Sequence, residues 1–121
     1  MAIFLYPPML NIGLKIGDTG TLSREAAEHA VEALGVHIIH SAVHASDTEP
    51  TLVVVMDRAL SPPEAHALSA ALYQEAIAQY DGDQGELYGP GAEKWRPFNP
   101  DYFLLPDGMR LSAVGDEQST R

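Results

Sequence analysis

Cysteine is absent from the 121 residues. That removes thiol nucleophiles, thiolate metal sites and disulfide staples together, and leaves apolar burial to stabilise the fold, which one domain of this length can supply. Long apolar runs are missing too, since no stretch approaches the ~20 residues needed to span a bilayer. The N-terminal MAIFLYPPML is apolar but has no basic flank, is broken by Pro7 and Pro8 and offers no small-residue cleavage site. A soluble, cytoplasmic protein is therefore expected. Bases are scarce, seven against seventeen acids, for a formal charge of −10. A field of that sign repels phosphate backbones, and Lys94, Arg96 and Arg110 form no local patch because they sit among Glu93, Asp101 and Asp107. Nucleic acid and membrane are thereby disfavoured as partners.

Complete functional motifs are lacking as well. The loop GLKIGDTGT lies where phosphate-cradling loops lie, between a strand and a helix, but it has neither glycine-rich spacing, and Asp18 repels an anion. DGDQGE at 81–86 begins like a calcium loop and then departs from it: Gly85, Glu86 and Ala92 stand where a ligand, the sharp-turn glycine and the bidentate glutamate belong. A solvated acidic turn is the simpler expectation. No metal and no cofactor is implied.

What is present is a pattern of short amphipathic elements. Leu10, Ile12, Leu14 and Ile16 alternate with Asn11, Gly13 and Lys15, the period of a strand with one buried face, while Pro7 and Pro8 are expected to end any strand formed by AIFLY. A helix follows, capped by Ser23 or Thr21, with Ala27, Ala30, Val31 and Leu34 at helical spacing and Gly35 to stop it. Val36 to Asp57 reads as two facing strands. The first does not alternate cleanly, so it is either apolar on both faces or shifted by a bulge near Ile38 and Ile39, and the second, Leu52 to Met56, is a continuous apolar run, like a central strand covered on both faces. Ser61, Pro62, Pro63 and Glu64 make a capping box with proline at the first helical position, opening a helix expected to reach about Gln79.

The order strand, helix, strand, strand, helix predicts an α+β two-layer sandwich on the ferredoxin-like, split βαβ plan, with ELYG at 86–89 as a weak fourth strand. One α+β domain is expected over 1–111: a core at 10–80, an extended aromatic arm rich in proline and glycine at 81–111, then a frayed tail at 112–121. If both helices cover one face of the sheet, the valine run demands a cover on the other. Two covers are open to it: the C-terminal arm folded back over its own sheet, or a second subunit packed sheet to sheet with the arm exchanged across the interface.

Two functions from different classes are compatible with this pattern. The first is a non-catalytic binding or assembly module, homo-oligomeric through its sheet face or C-terminal arm. The second is a small enzyme with a pocket between sheet and arm. His40 or His44 would be its general base, Asp57 or a tyrosine of the arm would assist, and Trp95, as an apolar wall, would contact a small-molecule ligand with Tyr88 and Tyr102. His40 and His44 share a face of a regular strand but lie ~13 Å apart along it at ~3.3 Å per residue, too far for both to bind one metal.

Overall fold

The computed structural model describes residues 6–17, 20–45, 50–82, 84–90, 96–98 and 104–106. In chain order these form β1 (Tyr6–Gly13), β2 (Lys15–Ile16), β3 (Gly20–Thr21), α1 (Arg24–Glu32), β4 (Ile38–Ala45), β5 (Pro50–Met56), α2 (Pro62–Ala71), β6 (Ile77–Gly82), β7 (Gln84–Tyr88) and β8 (Arg96–Phe98). It is a small α+β protein. One six-stranded sheet runs in the order β4-β5-β1-β6-β7-β8, with each neighbouring pair antiparallel, and β2 and β3 pair separately.

Local chemistry sets the helix ends. Ser23 accepts from the Ala26 amide at 3.1 Å to open α1, and the chain leaves that helix through Gly35 at φ 84°, a left-handed conformation that costs glycine nothing. Ser61 and Glu64 close the capping box of α2 from both sides. The parity break in β4 is a bulge: Ile38 pairs with Met56 and His40 with Val55, leaving Ile39 opposite no residue.

Both helices lie on one face of the sheet. Ala27 and Val31 of α1 and Ala65 and Leu68 of α2 join Leu10, Ile12, Leu52, Val54, Met56 and Ile77 in one buried cluster. The opposite parity of the same strands supplies Met9, Val55, Ala78 and Tyr80 to a second cluster, which Leu105 completes from the C-terminal side. Asn11 lies on this second face and ties the covering segment down. Its Nδ2 donates to the Leu104 carbonyl at 3.0 Å, and the Leu104 amide donates to its Oδ1 at 2.8 Å.

Three expectations are corrected. Pro7 and Pro8 do not end a strand; they lie inside β1, where the pairing with β6 is irregular between Tyr6 and Met9, so the ladder asks for no proline N–H there. The second helix stops at Ala71, not Gln79. Tyr73 turns to φ 55°, and the Gln74 amide bonds to Ser69 O, the Ser69 hydroxyl to Gln74 O and Gln74 Nε2 to Lys15 O, so the chain reverses into β6. The strand beside β1 is accordingly Ile77–Gly82, and the segment around ELYG is the next one outward, Gln84–Tyr88.

Candidate functional site

The hairpin of β6 and β7 and the approach to α2 enclose a cavity of about 250 Å³ lined by Leu60, Pro62, Gln79, Asp81, Glu86 and Tyr88. Register explains how they meet. Gln79 pairs with Glu86 and Ile77 with Tyr88. Ile77 and Tyr88 belong to the helix-side cluster, so Gln79, Asp81 and Glu86, at the same parity, face that side as well. Asp81 pairs with Gln84, which turns the acidic stretch into a tight hairpin and brings Asp81 and Glu86 to one cavity.

The far wall is fixed by Gln79. Its Oε1 accepts from the Leu60 amide at 2.8 Å and its Nε2 donates to the Leu60 carbonyl at 3.1 Å, so a buried amide holds the residue before the Ser61 cap against β6. Beneath the cavity the His66 ring meets Tyr88 edge-on, with centroids 5.3 Å apart and planes at 78°. His66 Nδ1 donates to the Gly89 carbonyl at 2.7 Å, since a carbonyl only accepts. Tyr88 is buried, and its hydroxyl donates to Glu86. The result is a small pocket whose lining combines apolar Leu60, Pro62 and Tyr88 with two carboxylates, Asp81 and Glu86, and the Gln79 amide that holds Leu60. No protein family, curated protein or solved structure matches this chain.

Outside the lining, Arg58 grips Glu64 with two bonds of 2.9 Å and also donates to Leu34 O at 3.0 Å. The Glu64 carboxyl is held down from 4.5 to about 2, first by the Arg58 hydrogen bond and then by the Ser61 amide; Arg58 is raised in turn, chiefly by Glu64. This pair fixes the loop that leads into α2.

The residues singled out in the sequence scatter. Tyr88 lines the cavity. His40 is exposed on β4 and pairs with Val55, and the half-buried His44 pairs with Thr51, which sets both on the second face. His44 Nε2 meets the Pro106 carbonyl at 2.5 Å and therefore carries the proton. Asp57 is exposed and accepts from the His37 amide at 3.1 Å. It lies six residues beyond Thr51, about 20 Å along the strand at ~3.3 Å per residue, so it and His44 mark opposite ends of the β4–β5 hairpin. Trp95 and Tyr102 lie outside the described residues. Among the described residues no group of three or more histidines and acids is arranged to hold a metal ion, and no helix is long and apolar enough to cross a membrane. Gln79 was not singled out from the sequence, and Asp81 and Glu86 entered it only as the ends of an acidic turn at 81–86. The signal that could have found them is Gly82-Asp83 flanked by short alternating runs, a two-residue hairpin pattern.

Proposed function

We propose that this chain is a small, cytoplasmic, non-catalytic binding module on the ferredoxin-like plan, whose ligand is a small molecule with a positively charged group held in the Tyr88 cavity. The strand order β4-β5-β1-β6 with both helices on one face supports the plan. The observation that carries the ligand class is that two carboxylates, Asp81 and Glu86, line one cavity together with the apolar Leu60, Pro62 and Tyr88. Few polar groups placed against an apolar wall are the usual makings of a small-ligand site, and about 250 Å³ suits a molecule smaller than the drug-sized ligands of larger pockets.

Isothermal titration of the full chain with butylamine, butane-1,4-diamine, arginine and choline, each beside a neutral isostere, tests it. At least one cation should bind and its isostere should not, and Glu86→Gln or Asp81→Asn should weaken binding at least tenfold. If no cation binds, or the isosteres bind equally, the proposed ligand class is wrong.

Self-association through the sheet face has less beneath it, because Leu105 of the same chain already packs on Met9, Val55 and Tyr80. A histidine base draws no support either: His40 and His44 lie on the face away from the cavity, and Asp57 lies at the far end of their hairpin.

A further inference from the structure

Independently of the cavity, we propose that Arg24 is an edge guard that keeps β4 from pairing with β4 of a second copy of this chain. Hydrogen-bond phase identifies the exposed groups. The Leu14 amide donates to Pro50 O at 2.9 Å, so the even-numbered residues of β5 turn their backbone toward β1 and the odd-numbered ones toward β4. Val55, Val53 and Thr51 therefore bond to His40, Ala42 and His44, while Ser41 and Val43 turn N–H and C=O outward from the sheet. Strand β4 is eight residues long and ends the sheet, whereas the opposite edge, β8, has three residues and contains Pro97. Among the described residues, β4 is the edge that offers a template of useful length.

Its surface suits a second copy. Ile39 is 58% exposed and Val43 38%, and Ile38 to Ala45 itself contains no acid, so the strand adds no like charge of its own to a pairing of two copies. A two-fold antiparallel pairing about Ala42 would set Ser41 opposite Val43 of the other chain and needs the Ser41 carbonyl as an acceptor. Arg24 already occupies it. Its Nη2 donates to Ser41 O at 3.0 Å and to Ser41 Oγ at 2.9 Å, its Nε bonds to Glu28 at 3.2 Å, and the Ser41 hydroxyl closes the ring onto Glu28. A cation in the first turn of α1 opposes the helix dipole; its pair with Glu28 four residues on offsets that cost, and the same pair holds Arg24 where it reaches the sheet edge.

Sedimentation equilibrium across a concentration series tests this. The wild-type chain should stay at its single-chain mass of 13.1 kDa, and Arg24→Ala, folded by circular dichroism, should approach twice that mass, with a dissociation constant at least tenfold lower than any shown by the wild type. Glu28→Ala, which frees Arg24 from its anchor, should give a smaller shift in the same direction and serves if Arg24→Ala does not fold. Adding Val43→Pro to either variant removes an outward N–H and no bond to β5, and should restore the single chain. The proposal is overturned if the folded guard variants stay monomeric, if the wild type already pairs, or if Val43→Pro does not reverse the association.

Discussion

Replacing Asn11 with alanine should detach the cover of the second sheet face. The side chain makes two hydrogen bonds to the backbone of Leu104, at 3.0 and 2.8 Å, across 93 residues of sequence. Each contributes about 0.5–1.5 kcal/mol net, and the Leu104 amide and carbonyl are left against an apolar face, so a loss of about 2–3 kcal/mol is expected. That is a large part of the ~5–15 kcal/mol by which domains are stable, and at this length it lowers the melting temperature by about 10 °C. Asn11→Leu should cost a similar amount. It keeps the bulk and removes the hydrogen bonds, which separates polar anchoring from packing. Urea unfolding of the three proteins gives the free energies, and amide hydrogen exchange should show Leu104 losing protection in both variants. If Asn11→Ala lies within about 0.5 kcal/mol of the wild type, the ordinary range for an inconsequential substitution, Asn11 is not the anchor.

Acid should weaken the fold through Glu64. Its folded value of about 2 lies below the ordinary 4.5, so the stabilisation it brings is fully present above pH 4.5 and is lost as pH falls toward 2. Arg58→Ala removes the main cause and should flatten that part of the stability curve, a difference read from urea midpoints at pH 6, 4 and 2.5. Tyr73 sits at φ 55° and is 75% exposed as a residue, so it pays the left-handed penalty and gains little burial. Tyr73→Gly should stabilise by up to about 1 kcal/mol in the same assay, and a loss of stability would show that the ring contributes more than its exposure indicates.

Features set by neighbouring residues were legible in the sequence. The Ser61–Glu64 capping box, the Ser23 cap and the Gly35 stop are contacts between residues a few positions apart, so residue type and spacing determine them. The bulge at Ile39 showed as a break in parity, and the two-faced valine run of β5 showed that both sides of the sheet need a cover. The end of α2 was not legible. Ile77, Ala78, Gln79 and Tyr80 fit a helical stripe as well as they fit a strand, and what decides between them is distant: the open side of β1, which β6 fills.

The site was legible only at Tyr88. Its companions depend on the β6–β7 register, because Asp81, Gln79 and Glu86 converge only once Gln79 is opposite Glu86. Histidines drew attention by their chemistry, yet a strand displays residues of one parity on one face wherever that face looks. His40 and His44 follow the second face, away from the cavity.

The most direct measurement is a ¹H–¹⁵N correlation spectrum of the full chain titrated with butane-1,4-diamine and arginine. Saturable shifts should appear at the amides of Leu60, Asp81, Glu86 and Tyr88 and leave those of His44 and Leu105 unmoved. Shifts gathered on the second face, or none at either, would contradict the assignment of the Tyr88 cavity as the binding site.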